Sequence, residues 1–143
     1  ADDFIQMISV EDYRKNVLPY HKKIYEAFSF SDNNFIHLCG DATRHFPLIA
    51  KELGVNRFDT GFPVDFDWLR AQLGADIEIM GGPHIGLLLN GTRQQVADRT
   101  KQILQSEIKN GRFILREGNN LAPMTPLENI AQMYQTCKEY GRY

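Results

Sequence analysis

Cysteine, tryptophan and long apolar runs are all scarce in this sequence. Its 143 residues include two cysteines and one tryptophan. Two cysteines do not make a disulfide scaffold in a chain of this length, so we expect a reduced, cytoplasmic setting. No apolar stretch approaches the roughly 18 residues of a membrane span, and the acidic N-terminus is unlike a signal peptide. We therefore expect no membrane partner.

Charge of one sign is also lacking. There are 16 basic and 18 acidic side chains, which give a formal net charge of −2. Nucleic-acid binding depends on clustered lysine and arginine, so this balance argues against a nucleic-acid partner. The P-loop, G-x-G-x-x-G and G-x-S-x-G motifs are absent from the sequence, which argues against kinase, dinucleotide-binding and hydrolase functions.

A regular alternation of helical and strand patterns is present instead. After a leading helix from Ser9, short apolar segments begin near residues 35, 57, 76 and 112, and a helical pattern follows each of them. Such alternation predicts an α/β fold, with four parallel βα units in a single domain over residues 1–143. The pattern fits two architectures: a doubly wound four-stranded sheet and half of an eight-unit (β/α) barrel.

Several helix boundaries carry their own sequence signals. We predict N-caps at Asp41, Thr92 and Thr125, where a short polar side chain precedes a helical pattern. Pro19 lies inside the leading helix and is expected to kink or interrupt it. In the last helix, Tyr134 is predicted to point inward together with apolar neighbours at helical spacing.

Polar residues follow each predicted strand. Ligands bind at the carboxyl ends of the strands in both architectures, so these residues are the candidates for an active site. In chain order they are His37, Cys39, Asp59, Gly82, His84, Arg116, Glu117, Asn119 and Asn120. Turn geometry accounts for the glycine, whereas the clustering of histidine, cysteine and asparagine indicates chemistry.

His37 and Cys39 lie two positions apart on the first strand, so their side chains point to the same side. Imidazole and thiolate are both ligands that suit zinc. Buried cysteine and hydrogen-bonded histidine are also common in protein cores, which leaves a structural interpretation open.

The other strand-end residues have polar roles available to them. Asp59 could orient a histidine or act as a base, and His84 follows a glycine-rich turn that lets a ligand approach the backbone. Asn119 and Asn120 could bind a polar substrate through their amides, or adopt left-handed turn geometry. The candidate catalytic residues are therefore His84, Asp59 and Asn119, and the candidate substrate contacts are Asn120, Arg116 and Gly82.

Several segments resemble the uroporphyrinogen decarboxylase superfamily in order and spacing. They are residues 2–4 and 9–20, 35–41 (F-I-H-L-C-G-D), 81–89 and 118–129. The resemblance runs over essentially the whole chain and maps to the C-terminal half of the family's barrel. It implies a TIM-barrel half with four parallel βα units and a leading helix, and a missing N-terminal half as a partner. The family comprises porphyrinogen decarboxylase, a carboxy-lyase of porphyrin metabolism, and corrinoid-linked methyltransferases.

The resemblance also implies a metal site. His37 and Cys39 resemble the H-x-C pair with which the methyltransferases hold a zinc that activates a thiol acceptor. The third ligand is a cysteine within G-C-G in those enzymes, and the decarboxylases have a histidine in that place. Here the matching residue is Asn119. We expect His84 or Glu117 to complete the zinc site.

For the parent enzyme, the resemblance implies methyl transfer between a corrinoid and a thiol or similar acceptor. It also implies that the corrinoid (cobalamin) is a co-substrate carried on a partner protein. The alternative is decarboxylation of tetrapyrrole acetate side chains, a substrate that needs several arginines, whereas only Arg116 and Arg44 lie next to strand ends. The third interpretation is an inactive or ligand-binding fragment. Half a barrel leaves two unpaired edges and an apolar face, so we expect the chain alone to self-associate and to be inactive.

Overall fold

Four parallel strands form the centre of the fold. The computed structural model of the chain describes residues 3–28 and 33–142. The sheet has the order β1-β2-β3-β4, and neighbouring strands are parallel throughout. The strands are β1 (Asn34–Leu38), β2 (Val55–Thr60), β3 (Glu78–Gly81) and β4 (Phe113–Leu115). Each strand begins within two residues of the predicted position, so the parallel α/β prediction is confirmed.

The strand order decides between the two architectures. A doubly wound sheet reverses its direction of growth at a switch point, whereas here each strand adds to the same edge. Because crossover connections between parallel strands are right-handed, growth in one direction places the crossover helices on one face. The opposite face is left for the interior of a barrel, as expected for a half-barrel.

Helices precede and follow the strands. The leading helix consists of α1 (Val10–Asp12), a π-helical segment (Tyr13–Val17) and α2 (Leu18–Phe28); the later helices are α3 (Phe46–Leu53), α4 (Phe66–Leu73), α5 (Ile85–Asn90), α6 (Arg93–Glu107) and α7 (Leu127–Tyr140), and 3-10 turns occupy Asp3–Met7 and Thr43–His45. None of the described helices is long and apolar enough to cross a membrane.

Pro19 changes the pitch of the leading helix without ending it. The five residues Tyr13–Val17 directly ahead of α2 adopt π-helical geometry, and the Leu18 N–H donates to the Tyr13 carbonyl. A proline ring clashes with the carbonyl four residues earlier in a regular α-helix, and the wider turn relieves that clash. The expected disturbance is therefore present as a π-helical segment.

The predicted helix caps had mixed outcomes. Thr92 is confirmed, because its hydroxyl accepts from the Gln95 N–H in a capping box. The prediction of an N-cap at Asp41 is wrong. The next helical turn begins at Thr43 with Ala42 as its N-cap, and the Asp41 carbonyl accepts from the Arg44 guanidinium. Thr125 is also wrong, because its hydroxyl donates to the Ala122 carbonyl at 2.7 Å and Pro126 takes the N-cap position.

One prediction about the last helix is wrong as well. Tyr134 is 46% exposed, whereas Asn129, Met133 and Thr136 are the buried residues of α7. Asn129 donates from its side chain to the carbonyls of Leu88 at 2.9 Å and Gly91 at 2.8 Å. The helix is therefore rotated so that a polar residue meets the free carbonyls around the end of α5, and Tyr134 turns outward.

The main hydrophobic core lies between the sheet and its helices. Phe58 of β2 and Ile79 of β3 are fully buried. Phe46 at the start of α3 stacks on Phe58 with ring centroids 4.6 Å apart, and Phe66 of α4 meets Phe113 of β4 edge-on at 5.8 Å. Each such side chain contributes about 1.5–3 kcal/mol on burial, so this core fixes the strands whose ends carry the polar residues.

A buried ion pair ties the helices to the amino ends of β3 and β4. Arg70 of α4 is 5% exposed and Glu107 of α6 is 0% exposed, and two guanidinium nitrogens donate to one Glu107 oxygen at 2.8 and 2.6 Å. The same guanidinium donates to the carbonyls of Gly74, Ile77 and Arg112. Burial raises the pKa of Glu107, and the hydrogen bond from Arg70 opposes that shift.

Candidate active site at the carboxyl ends of the strands

His37 and Asp59 form the centre of the candidate site. They are register partners on β1 and β2. His37 Nδ1 lies 2.8 Å from Asp59 Oδ2. A carboxylate can only accept at this contact, so Nδ1 carries the proton and Nε2 is the free ring nitrogen. Asp59 is buried, while His37 is partly exposed.

Arg116, just after β4, reaches the same carboxylate from two strands away. Its Nη1 donates to Asp59 Oδ2 at 2.6 Å, and its Nη2 donates to Glu117 Oε1 at 3.2 Å. The backbone of Arg116 lies against Gly82, where a Cβ would meet the Arg116 carbonyl oxygen at 1.8 Å. Gly82, a candidate substrate contact, is thus also needed for the close approach of the two strand ends.

Cys39 and Asn119 form a second contact between the ends of β1 and β4. Asn119 Nδ2 donates to Cys39 Sγ at 2.8 Å. The loop after β2 leaves space for the sulfur, because a Cβ at Gly61 would lie 2.5 Å from it. The structure therefore places six of the predicted site residues in two sets of contacts. His37, Asp59, Arg116 and Glu117 form one set, and Cys39 and Asn119 form the other.

His84 is placed differently from these residues. It is the N-cap of α5, where its Nδ1 accepts from the Gly86 N–H at 2.8 Å. Its ring lies edge-on against Phe62, with centroids 4.0 Å apart. Neither contact belongs to the His37–Asp59–Arg116 network. Asn120 is exposed beside Asn119, where its amide is available to a ligand.

Two residues near the rim were missed by the sequence reasoning. Asp3 Oδ1 accepts from the Cys39 N–H at 2.7 Å, and Gln6 Oε1 accepts from the Asp41 N–H at 3.2 Å. Gly40 lies between them at φ +73°, and a Cβ there would meet the Gln6 side chain at 2.0 Å. No local pattern links the first turn of the chain to β1, so only the tertiary structure reveals this contact.

The residues do not make up a zinc site of the expected kind. Within residues 3–28 and 33–142, no group of three or more histidine, cysteine, aspartate and glutamate side chains is placed to hold a metal ion. Catalytic zinc sites use three protein ligands and an open position. The two expected third ligands are engaged elsewhere, Glu117 with Arg116 and His84 with the backbone of α5.

One atom of the network is a buried acceptor without a donor. Asp59 Oδ1 is buried and has no hydrogen-bond partner among the described residues. Burial of a carboxylate oxygen without a hydrogen-bond donor costs about 1–3 kcal/mol or more in stability, so such atoms are rare in folded proteins. This oxygen adds to the polar cost of the network and offers no exposed contact to a ligand.

Comparison with protein families gives one match over nearly the whole chain. The sequence model of the uroporphyrinogen decarboxylase (URO-D) family matches residues 1–140.

The names of individual relatives indicate two different activities, methyl transfer and decarboxylation. A methylated-thiol–coenzyme M methyltransferase of Methanosarcina mazei is 36% identical over 93% of the chain and 34% of its own length. A uroporphyrinogen decarboxylase of Nostoc punctiforme is 29% identical over 96% of the chain and 39% of its own length. The chain thus spans little more than a third of the length of these relatives.

A solved structure supports the fold. A methyltransferase from Methanosarcina mazei superposes with a TM-score of 0.73 and 20% identity, over 94% of this chain and 39% of the other. At this identity the likeness concerns the fold alone. It confirms the predicted partial TIM barrel of four βα units.

Proposed function

The chain belongs to the uroporphyrinogen decarboxylase family, and from this premise we propose that it is part of an enzyme that transfers a methyl group between a corrinoid and a thiol or similar acceptor. The observation that carries the proposal is the polar network at the strand ends, in which Asp59 joins His37 and Arg116 beside Cys39. Since the chain covers only part of its relatives, the activity belongs to the whole protein.

The balance of relatives supports methyl transfer. The relative with 36% identity is named for methyl transfer to coenzyme M, whereas the decarboxylase of Nostoc punctiforme shares 29%. The H-x-C pair at His37 and Cys39 agrees with the methyltransferase pattern of the resemblance.

The arginines argue against the runner-up, decarboxylation of a tetrapyrrole. That substrate bears several carboxylates, which call for free guanidinium groups. The two arginines that the sequence places next to strand ends are both engaged. Arg116 pairs with Asp59 and Glu117, and Arg44 donates to the backbone carbonyls of Gln6, Ile8 and Asp41. Both guanidinium groups therefore already have acceptors within the chain.

Six of the candidate residues have a defined task under this proposal. Asp59 keeps the proton on His37 Nδ1, which leaves Nε2 facing the substrate as a hydrogen-bond acceptor. The amides of Asn119 and Asn120, together with His84 at the neighbouring strand end, orient the acceptor. Arg116 fixes the Asp59 carboxylate, and the corrinoid supplies the methyl group when its carrier is bound.

The residues at the strand ends do not fit the zinc expected from the resemblance. His37 Nε2 and Cys39 Sγ are two suitable ligand atoms, but the described residues supply no third, which is one fewer than catalytic zinc sites use.

We also propose two partners and a cytoplasmic location for the protein. A barrel with four strands needs four more, and we propose that the polypeptide preceding this half in the family's barrel closes it. A corrinoid-carrying protein would then dock on the carboxyl face of the strands, where His37 and Cys39 lie.

A methyl-transfer assay tests the proposal. The protein, at the full length its gene encodes, is incubated with methylcobalamin and a small thiol, and loss of the methyl–cobalt bond is followed by absorbance. A parallel reaction with uroporphyrinogen is followed by product separation. Demethylation that depends on protein and thiol is expected. Decarboxylation without demethylation would establish the runner-up, and no reaction with either would favour an inactive or ligand-binding fragment.

A further inference from the structure

The surroundings of Cys39 are those of a hydrogen-bonded thiol. Asn119 Nδ2 donates to its sulfur at 2.8 Å, and the Cys39 N–H donates to Asp3 Oδ1 at 2.7 Å. Gly61 packs so closely behind the sulfur that a Cβ there would lie 2.5 Å from it. Backbone and side chain of Cys39 are therefore both held by protein groups.

The Asn119 amide is a poor zinc ligand in either orientation. Its nitrogen keeps both protons at neutral pH and acts only as a donor. If the amide were flipped, its carbonyl oxygen would face the sulfur, but such oxygens suit magnesium and calcium and not a zinc site with thiolate and imidazole. The Asn119 amide therefore does not complete a zinc site with Cys39 and His37.

The carboxylates near the rim are also committed. Asp59 Oδ2 accepts from both His37 and Arg116, and Glu117 accepts from Arg116. Asp59 contacts His37 at Nδ1, so a zinc ion on Nε2 would lie on the opposite side of the imidazole ring from this carboxylate. A zinc ion that took Glu117 would compete with the guanidinium of Arg116. Two zinc-type donors, His37 and Cys39, are left, which is one fewer than zinc enzymes use.

From these contacts we propose that Asn119 stands where a metal ligand would be needed, and that the rim of this protein holds Cys39 as a metal-free thiol. The hydrogen bond from Asn119 replaces a coordinate bond as the link between the ends of β1 and β4. A single substitution at position 119 should then create a zinc site, because a donor introduced there would lie next to Cys39 and on the same rim as His37.

The test compares metal content and not activity. The protein, at the full length its gene encodes, is prepared as wild type, Asn119→Cys, Asn119→His and Asn120→Cys, the last as a matched control one residue away. All four are kept under a thiol-free reductant, which prevents a disulfide between Cys39 and the introduced thiol. Each is stripped with a chelator, loaded with zinc, dialysed and analysed for zinc per chain, and circular dichroism reports folding.

We expect about one zinc per chain in Asn119→Cys and Asn119→His, and little in the wild type and in Asn120→Cys. Alkylation of Cys39 by iodoacetamide should be unaffected by zinc in the wild type and slowed by zinc in Asn119→His. Stoichiometric zinc in the wild type that disappears in Cys39→Ala would overturn the proposal. So would folded position-119 variants that gain no zinc. No corrinoid or acceptor is involved, so failure here is distinguishable from failure of the proposed methyl transfer.

Discussion

Asp59 Oδ2 lies 2.8 Å from His37 Nδ1, and the two residues face each other in the register of neighbouring parallel strands. The same oxygen accepts from Arg116 at 2.6 Å. One carboxylate oxygen thus connects the ends of β1 and β4 through β2, while the second oxygen has no partner among the described residues. This contact links the sheet to the proposed chemistry.

Replacement of Asp59 by asparagine should impair the proposed reaction more than the fold. The amide keeps the size of the carboxylate but not its charge, so its single acceptor oxygen binds the His37 N–H more weakly and no longer balances the charge of Arg116. Loss of the partner that orients a metal-bound histidine typically costs about 10–100-fold in activity, and we expect an effect of the same order for His37. We expect a fall of that size in the rate of thiol-dependent demethylation of methylcobalamin.

The matched control for this change is Asp76→Asn, an exposed aspartate at the other end of the sheet. It should retain the wild-type rate. Equal rates for Asp59→Asn and the wild type would remove Asp59 from the proposed mechanism.

The ion pair between Arg70 and Glu107 should be the most sensitive polar contact for stability. Arg70→Ala leaves the fully buried Glu107 carboxylate without its cation and frees three backbone carbonyls. Removal of one partner of such a pair costs about 3–5 kcal/mol. Urea unfolding followed by circular dichroism measures the loss.

Arg99→Ala, on the same α6 helix as Glu107 but with a single exposed hydrogen bond to Gln102, is the control and should stay within about 0.5 kcal/mol of the wild type. Similar losses for the two variants would mean that the buried pair adds nothing beyond an ordinary surface contact.

His45 should make stability depend on pH. It is fully buried beside Tyr13, with ring centroids 5.2 Å apart. Burial lowers its pKa, and the positive charge of Arg44 adds to the shift. The unfolded chain therefore binds a proton more readily than the folded one. The contribution of neutral His45 to stability is complete above the ordinary histidine pKa of about 6.5 and is lost as the pH falls from there through the lowered pKa.

The measurement is the free energy of unfolding in urea at several pH values between about 7.5 and 5. His45→Phe fills the same space with a ring that does not titrate. The fall in stability on acidification should be smaller in this variant than in the wild type. Identical pH profiles for the two proteins would contradict the assignment.

The chain alone should self-associate. Both outer strands carry exposed apolar residues, Phe35 on β1 at 46% and Ile114 on β4 at 40%, and an unpaired strand edge attracts further strands. Light scattering of the 143-residue chain should give a mass above 16.5 kDa. Ile114→Lys should shift the distribution toward the monomer, since an edge lysine opposes pairing. A stable monomer of the unaltered chain would rule out the prediction.

Local sequence signals predicted helix features correctly where the hydrogen-bond partners lie within one helical turn. They failed where another group competed for the same position or the same hydrogen bond. The Thr92 capping box forms as predicted because both of its hydrogen bonds lie within one helical turn. Thr125 presented the same kind of signal, but the adjacent Pro126 takes the N-cap position and the hydroxyl turns back to the Ala122 carbonyl. Tyr134 has a suitable helical spacing, yet the hydrogen bonds of Asn129 decide which side of α7 is buried.

The sequence by itself determined the alternation of strands and helices, the parallel sheet and the set of polar residues at the strand ends. These depend on apolar periodicity and turn chemistry, which act over a few neighbouring residues. Only the tertiary structure decided which of those residues meet. Arg116 and Asp59 are 57 positions apart, and Asn119 and Cys39 are 80 apart. Such pairs are set by the packing of whole strands, and this packing gives Cys39 an amide donor and joins His37 to Arg116 through the Asp59 carboxylate.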